Sequence, residues 1–475
     1  MLSRWVKFLK VLCCMSVLFT TAAHGAESKS REIVVIGAGL AGLTAAYRLH
    51  EQGASVHVYE ARGRVGGRIF SAIACGHTVE LGGHNITDGG AAENIRHLMD
   101  ELGLETQSFR FNLDHLYFDG ETFIPKKLLY PPVPDPDHLR MQLFAIAEKA
   151  QNMQEVLRTL FKEEDPLYQL LSVRLAGYEG ASVENLSPLY VETLYHMLLG
   201  GVCAAHQNVD DTGRYMDFVS IQGGNSLLPE RLAEKLKGRV HLNMPLVAVS
   251  QAADGVYLLT FQNGEKVKAD ILVLAMPCSV YEDITFDKEV IPEEQLEAIR
   301  SVHYGTNAKI IVSAVSIASD RVAIANSRMF AFSQEKSLIL FYTGEAGRFS
   351  LDTLKSTYEK DWPMIEEGFG GVKLPSQQGV MARDESFASY EGPVGCSWPE
   401  DPYAKGSYSY IAPGQEILLT AIHQEQGEFT KTLFTPVGRT LYFAGEHASI
   451  LADVPGTMEA ACESGERVAR MIARR

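Results

Sequence analysis

The chain has 475 residues, of which 46% are hydrophobic and 21% are charged, so it can bury a large core and is expected to form two domains. Its formal net charge of −16 argues against nucleic acid as a partner, because binding a polyanion depends on basic residues that release counterions. An acidic surface instead suits solubility and weakly favours cationic ligands.

The first 25 residues are predicted to be a signal peptide that directs export to the periplasm or out of the cell. Arg4, Lys7 and Lys10 precede a short apolar run from Val11 to Phe19, and small residues follow that run. The run is too short to span a bilayer and no second long apolar run follows. We therefore expect no stable membrane insertion after cleavage.

The remaining cysteines and histidines do not have the spacing of a metal site or a disulfide framework. Five cysteines lie outside the signal peptide, an odd and scattered set: Cys75, Cys203, Cys278, Cys396 and Cys462. The chain contains no Cys-x-x-Cys and no His-x-x-x-His pair, so a zinc site would lack its usual ligands. We predict no metal.

The mature chain opens with a predicted strand, helix and strand. Ile33 to Ile36 is a β-branched run typical of a buried strand, and Leu40 to Leu49 carries apolar residues at helical spacing. Val56 to Tyr59 follows as a second strand. This order predicts an α/β fold with a parallel, doubly wound sheet.

The middle of the chain is predicted to be a helical insertion, and strands return after it. Apolar periodicity predicts helices, separated by Pro-rich or Gly-rich breaks, over 139–161, 167–175 and 186–199. Val-rich and aromatic runs predict strands over 247–261, 271–274 and 441–445.

A glycine-rich turn between the first strand and the first helix predicts a dinucleotide site. Gly37 permits the tight turn, Gly39 lets the backbone approach the pyrophosphate, and Gly42 lets the helix pack close to the strand. Glu60 ends the second strand about 20 residues later, where an acid can accept hydrogen bonds from ribose hydroxyls.

A second glycine-rich and basic run follows Glu60 and favours FAD over NAD. Arg68 beside Gly67 is suited to a close pyrophosphate contact, because arginine offers phosphate oxygens a bidentate partner. Arg62 is also predicted to contact the cofactor, whereas Arg64 is expected to be a solvated loop charge. A simple NAD-binding Rossmann domain does not require this second element.

Residues 60–68 resemble the FAD signature of the flavin amine oxidase family, which includes monoamine oxidases, polyamine oxidases and L-amino acid oxidases. Segments matching other motifs of the family follow in the same order, at 80–83, 223–229, Val247, 443–447 and 455–459. The resemblance implies FAD contacts from Gly82, Gly83, Val247, Gly445, Glu446, Thr457 and Met458.

The resemblance implies a discontinuous Rossmann-like FAD-binding domain interleaved with an α+β substrate domain that consists of a sheet and the helical insertion. The FAD-binding domain is expected over 31–110, 221–305 and 400–475. The substrate domain is expected over 111–220 and 306–399.

Three residues are expected to take part in the chemistry, and the resemblance supplies their roles. From sequence alone Lys309 would be an edge-strand lysine in solvent, but the family places a lysine here that holds a water near the reactive nitrogen of the flavin. Tyr408 matches one wall of the family's aromatic cage, and Trp398 lies in the same segment that lines the substrate face. An aromatic face attracts an amine, so these residue types suit the role.

Three departures from the family pattern limit what can be expected. Ser407 stands where monoamine oxidases carry the cysteine that tethers the flavin, so the FAD should be non-covalent. Thr457 aligns with their second cage tyrosine, which argues against a simple monoamine oxidase specificity. His84 occupies the place of the arginine with which L-amino acid oxidases grip the substrate carboxylate; it is either a pocket residue or a structural histidine.

The expected function is therefore FAD-dependent oxidation of a small amine, giving an imine that hydrolyses, with transfer of electrons to O2 and release of hydrogen peroxide. Three alternatives stay open: an L-amino acid oxidase, a desaturase or protoporphyrinogen oxidase type of flavoprotein, and a secreted flavin-binding protein without catalysis. The number of subunits is open, with a homodimer as one alternative.

Overall fold

A five-stranded parallel sheet contains both of the strands predicted over 33–36 and 56–59. The structure is a computed structural model, and it describes residues 31–74, 76–86, 92–109, 114–200, 218–313, 322–334, 336–452 and 455–474. The predicted signal peptide, Cys75 and Cys203 lie outside these ranges. In order across the sheet, the strands are Leu441–Phe443, Ile271–Leu274, Glu32–Ile36, Ser55–Tyr59 and Val240–His241.

The central strand Glu32–Ile36 is buried because both faces of the sheet are covered. Its last four side chains are buried, as expected for a continuous apolar run in a parallel sheet. The helix Leu40–Glu51 packs against the last helix, Met458–Ala473. Gly465 permits this close approach, because a Cβ atom there would lie 2.4 Å from the carbonyl oxygen of Ala41. The first and last helices of the described chain are thus brought together.

The largest sheet has eight strands and is mainly antiparallel. Across the sheet they are Val380–Met381, Val394–Ser397, Ala308–Ser313, Ser337–Tyr342, Met329–Gln334, Val322–Ala325, Asp114–Phe118 and Phe123–Pro125. The strand Ala308–Ser313 is therefore an interior strand, paired on both sides.

Smaller sheets and the helices complete the fold. A four-stranded sheet has the order Lys266–Ala269, Tyr257–Phe261, Leu246–Gln251 and Thr285–Phe286, and a three-stranded sheet has the order Ser389–Tyr390, Ser71–Ala74 and His77–Glu80. Strand pairs join His303–Tyr304 with Ser409–Tyr410, Ile422–Glu425 with Glu428–Lys431, and Thr106–Phe109 with Phe218–Ile221. The other α-helices are Glu93–Glu101, Lys126–Leu129, Pro136–Ala147, Met153–Leu160, Pro166–Glu179, Val191–Gly200, Leu227–Lys235, Glu293–Arg300, Leu351–Glu359, Trp362–Gly368 and Glu416–Thr420. Short 3-10 helices span Val183–Asn185, Pro188–Tyr190, Cys278–Asp283, Gly344–Gly347, Thr432–Phe434 and Glu446–Ala448.

The predicted α/β class is confirmed, but two predicted elements are each divided. The helix predicted over 139–161 is two helices, because Asn152 caps a new helix by accepting a hydrogen bond from the Glu155 amide at 3.0 Å. The strand predicted over 247–261 is a hairpin whose turn contains Gly255 at φ +83°.

No helix within the described ranges is long and apolar enough to cross a membrane. In the same ranges, no three His, Cys, Asp or Glu side chains come together as metal ligands would. Cys278, Cys396 and Cys462 are buried free thiols.

Candidate active site

A cavity of about 920 Å³ begins at the carboxyl ends of the parallel strands. Gly37, Glu60, Ala275 and Gly445 follow four of these strands directly or within two residues, and all four line the cavity. Ligands of open α/β sheets bind at this edge. The cavity continues to the eight-stranded sheet, where the described lining includes Ala308, Lys309, Ala323, Ile324, Ala325, Phe330, Phe332 and Phe341.

Sixteen of the seventeen residues predicted for the site line this one cavity. The exception is Gly42, which faces the turn instead: a Cβ atom on Gly42 would lie 2.1 Å from the carbonyl oxygen of Gly37. Gly42 therefore lets the helix approach the turn, as its place in the motif predicts.

The turn at Gly39 leaves room for a phosphate-bearing cofactor. A Cβ atom added to Gly39 would meet no atom within 4 Å, although the glycine lies in the wall of the cavity. The helix Leu40–Glu51 begins here without a side-chain cap, so its first amides are free to bind an anion. This cradle fits the pyrophosphate of a dinucleotide.

Glu60 is a buried carboxylate held by the backbone. One oxygen accepts from the Ala38 amide at 2.7 Å and the other from the Arg62 amide at 2.9 Å. Burial raises the pKa of Glu60, although both amide bonds and the nearby arginines oppose that effect. The carboxylate oxygens can still accept further hydrogen bonds, which fits the ribose hydroxyls of a nucleotide.

The two arginines after Glu60 are fixed by acidic partners. Arg62 forms a two-point ion pair with Asp401, with Nη1 2.8 Å from Oδ2. The expectation that Arg64 is a solvated charge is wrong. Arg64 is buried, its guanidinium lies 3.9 Å from the ring centre of Phe70, and its Nε lies 3.1 Å from Asp384. Stacking on an aromatic ring compensates the removal of this cation from water.

Arg68, in the basic loop after Glu60, forms hydrogen bonds with residues near the end of the chain. Its Nη1 donates to the Ser407 carbonyl at 2.8 Å and to the Glu446 carboxylate at 2.9 Å. Burial alone would raise the pKa of Glu446, but the charge of Arg68 and the hydrogen bonds from Arg68 and Ser409 hold that pKa below its usual value. Glu446 is therefore ionised at neutral pH.

Lys309 is a buried cation on an interior strand. Its Nζ donates to the carbonyl oxygens of Glu80 at 2.8 Å and Gly82 at 2.7 Å, and its exposed fraction is 6%. Burial lowers the pKa of Lys309 to about 8, while the negative charge of Glu80 opposes that shift. An ammonium group has three donors, so one N–H remains for a further acceptor such as water.

The loop beside Lys309 packs tightly. A Cβ atom on Gly82 would lie 2.0 Å from the Arg68 carbonyl oxygen, and one on Gly83 would lie 3.2 Å from the sulfur of Met458. The Glu80 carboxylate accepts from the Ser71 hydroxyl at 2.9 Å and the Asn225 amide at 2.8 Å. These contacts hold in place the carbonyl groups of Glu80 and Gly82, which accept hydrogen bonds from Lys309.

Tyr408 is held rigidly in the cavity wall. Its hydroxyl lies 2.8 Å from the carbonyl oxygens of Gly177 and Tyr178, and it accepts from Asn307 Nδ2 at 2.6 Å. The ring is also enclosed, since a Cβ atom on Gly456 would lie 2.8 Å from it. Asn307 was not predicted from the sequence, although it precedes Lys309 by two positions, the spacing that places side chains on one face of a strand.

The remaining predicted residues have clear structural positions. Trp398 is buried and packs edge to face against Phe70, with ring centres 6.5 Å apart. Thr457 caps the last helix by accepting from the Ala460 amide at 3.2 Å, and Ser407 Oγ accepts from the Asn307 amide at 3.4 Å. Gly67, Val247 and Gly445 contribute to the wall of the cavity.

His84 is a neutral cavity residue. Burial, with a smaller contribution from the charge of Lys309, lowers its pKa to about 3. Its ring stacks near Phe332, with centres 6.3 Å apart. A neutral imidazole cannot form an ion pair with a substrate carboxylate at this place.

Comparison with known proteins identifies similar sequences over nearly the whole chain. The family model described as flavin containing amine oxidoreductase matches residues 40–347 and 389–473. L-amino-acid oxidase from Mus musculus is 26% identical over 476 residues, covering 94% of this chain and 71% of that protein. Flavin-containing amine oxidase A from Equus caballus is 27% identical over 478 residues, covering 93% and 84%.

Two solved structures share the fold. Cyclohexylamine oxidase from Brevibacterium oxydans IH-35A has a TM-score of 0.69 at 21% identity, covering 94% of this chain and 99% of that chain. Wild-type putrescine oxidase bound to putrescine has a TM-score of 0.68 at 20% identity, with the same coverage.

Proposed function

We propose a specific reaction for this chain, which belongs to the family of flavin-containing amine oxidoreductases and uses FAD as its cofactor. The chain oxidises a small amine at the carbon next to nitrogen, passes the electrons to O2 and releases hydrogen peroxide. Bound FAD supplies the isoalloxazine ring that accepts a hydride and returns the electrons. The imine product leaves the protein and hydrolyses in water.

The observation that carries this proposal is the position of Lys309 in the same cavity as the glycine-rich turn, Tyr408 and Trp398. The reduction of O2 generates an anion, so a buried cation in the same cavity suits an oxidase. Preorganised positive charge stabilises such an anion strongly where water is excluded.

We assign the five-stranded parallel sheet to a discontinuous FAD-binding domain over 31–110, 221–305 and 400–475. The eight-stranded sheet belongs to the substrate domain over 111–220 and 306–399. The strands of each sheet fall within the corresponding ranges, which supports this division.

The aromatic residues position the amine and exclude water. Tyr408 and Trp398 provide faces that attract an amine nitrogen, and the bonds to Tyr408 keep its ring from moving. Phe330, Phe332 and Phe341 add apolar surface on the eight-stranded sheet. A dry site lets the amine stay neutral and keeps its lone pair available when hydride leaves the carbon.

Lys309 holds a water molecule and supplies the charge for oxygen reduction. Its two bonds to backbone carbonyls fix the ammonium group, and its third donor orients the water. Ser407 cannot form the thioether that a cysteine would, so the FAD is held by non-covalent contacts alone.

Replacing Tyr408 with Leu is expected to slow the anaerobic reduction of the flavin by amine about tenfold, because the aromatic face is lost. Replacing Tyr408 with Phe keeps that face and should change the rate less than about threefold. The Phe variant loses the hydrogen bonds of the Tyr408 hydroxyl, so its free energy of unfolding should fall by about 1 kcal/mol. Stopped-flow absorbance measures the rate, and urea denaturation measures the stability. Equal rates in the Leu and Phe variants would contradict the assigned role.

The reoxidation of the flavin by O2 is expected to slow as pH rises through about 8, the value to which burial lowers the pKa of Lys309. Above that pH the ammonium group loses its proton, and with it the charge that stabilises reduced oxygen. Two facing groups titrate far from that range: the pKa of His84 is lowered to about 3 and burial raises that of Cys396 to about 12. Burial also raises the pKa of Glu80.

Stopped-flow reoxidation across this pH range measures the effect, and Lys309→Arg is the matched control. A guanidinium group stays charged throughout, so the variant should show no fall in rate near that pH. The same pH profile in both proteins would exclude Lys309 as the titrating group.

Measuring oxygen consumption with hydrogen peroxide formation tests the proposed reaction. We expect a primary or secondary amine to give one peroxide for each O2 consumed. If O2 were consumed with a substrate that is desaturated to an alkene, and with no amine, the desaturase alternative would be favoured. If none of these substrates reduced the flavin, a binding role would be favoured.

A further inference from the structure

A loop over residues 401–406 forms part of the cavity wall, and we call it the wall loop. Its residues Pro402, Tyr403, Ala404 and Lys405 line the cavity. All of these except Ala404 are also exposed to solvent. The wall loop therefore lies at the surface of the protein as well as in the wall of the cavity.

One end of the wall loop is held by Arg62. The guanidinium of this buried arginine donates to both carboxylate oxygens of Asp401, with Nη1 2.8 Å from Oδ2. Asp401 Oδ1 also accepts from the Tyr403 amide at 2.9 Å, and the Arg62 guanidinium lies 5.3 Å from the centre of the Tyr403 ring. The second acidic neighbour of Arg62 is more distant, with Nη1 3.9 Å from Oδ1 of Asp384.

The other end of the wall loop is held by a second segment of the cavity wall. Lys405 Nζ lies 2.6 Å from Oδ2 of Asp283, which also lines the cavity. The Ser279 hydroxyl donates to the Ala404 carbonyl at 2.5 Å. Lys405 has a φ of +48°, a conformation that residues with a side chain rarely adopt. The backbone of the wall loop is thus expected to relax when these contacts break.

We propose that the wall loop is a lid that opens to let FAD enter and leave the cavity, and that the Arg62–Asp401 and Lys405–Asp283 pairs keep it closed. Local opening of a surface loop costs less free energy than separating the core strands of a sheet. Among the described residues, Asp401 is not part of the cavity lining, so it acts on the cofactor through its neighbours. Arg62 is then a positioning residue that holds the lid.

Asp401→Asn tests the lid, because the amide keeps the size of the side chain but loses the charge that holds Arg62. We expect FAD to leave the holoenzyme, and to bind the FAD-free protein, each about tenfold faster, the effect of losing a charge-assisted hydrogen bond. Because a lid limits both directions alike, Kd should change less than about threefold. Ultrafiltration of diluted holoenzyme measures FAD release, and flavin fluorescence after mixing measures binding.

Glu400→Gln is the matched control at the neighbouring position. Glu400 forms an exposed pair with Arg348 at 3.3 Å, so its variant should change both rates less than about twofold. Equal rates in Asp401→Asn and Glu400→Gln would overturn the proposal. Faster release with slower binding in Asp401→Asn would also overturn it, since damage to the FAD site, and not an opened lid, has that effect.

Lys405→Met tests the other end of the lid at an exposed position that does not threaten the fold. Both rates should rise about threefold at low ionic strength, the effect of losing an exposed ion pair. The difference from the wild type should disappear in about 1 M salt, because salt screens such a pair. Rates equal to those of the wild type at low ionic strength would overturn the proposed role of this pair.

A double variant tests whether Arg62 acts through Asp401. If the two residues hold the lid together, Arg62→Met combined with Asp401→Asn should exchange FAD no faster than the faster single variant. Multiplied effects on FAD release would show that Arg62 contacts FAD independently of Asp401, and would overturn its role as a positioning residue. FAD exchange is measured without substrate, so these results do not depend on the proposed amine oxidation.

Discussion

Replacing Lys309 with Met is expected to slow the reaction of the reduced flavin with O2 by about 100-fold, the effect of removing one preorganised electrostatic group. The reduction of the flavin by amine should change far less, because the charge acts on oxygen and not on the amine. Stopped-flow measurement of both half-reactions gives the two rates separately. The Met side chain fills similar space but cannot donate to the carbonyls of Glu80 and Gly82.

Lys431→Met is the matched control for this substitution. Burial also lowers the pKa of Lys431 to about 8, and its Nζ donates to the His447 carbonyl at 2.9 Å, but it is not among the described residues that line the cavity. Its variant should reoxidise at the wild-type rate. Similar slowing in both variants, or unchanged reoxidation in Lys309→Met with full FAD content, would show that Lys309 does not act on oxygen.

Replacing Gly39 with Leu is expected to lower the FAD content of the purified protein by tenfold or more, because the side chain would fill the space that the pyrophosphate needs. The backbone of Gly39, at φ −71° and ψ 174°, is open to any residue, and a Cβ atom there meets no other atom within 4 Å. The protein should therefore fold without FAD. Absorbance and FAD released on denaturation measure the content.

The control for Gly39→Leu is the wild-type protein from which FAD has been removed. Both should unfold at the same temperature, below that of the FAD-bound wild type, since only the native state binds the cofactor. Full FAD content in the variant would contradict the predicted contact. A melting temperature well below that of the stripped wild type would instead mean that the substitution damages the fold.

Local patterns predicted the first strand, helix and second strand of the described chain well. The strand over Ile33 to Ile36, the glycine-rich turn and Glu60 follow one another within a short stretch, and each has a distinct backbone requirement. Their arrangement could be inferred because a parallel sheet places the ends of its strands at one edge. The resemblance extended this inference to the end of the chain, which packs against the first helix.

Residues whose role depends on distant partners were harder to predict. Lys309 looked like an edge-strand lysine, and only the sheet order shows that its strand is interior. Arg64 looked solvated because its acidic partner Asp384 lies more than 300 positions away in the sequence, so the site formed by Asp384 and Phe70 exists only in the fold. Asn307 had no signal of its own, since only the fold brings its side chain to Gly177 and Tyr408.

An absorbance titration of the purified protein under anaerobic conditions tests FAD-dependent amine oxidation most directly. We expect the bands of oxidised flavin, their loss on adding an amine, and their return with hydrogen peroxide when air is admitted. A protein that binds FAD but is reduced by no amine in a panel of monoamines, diamines and amino acids would contradict FAD-dependent amine oxidation.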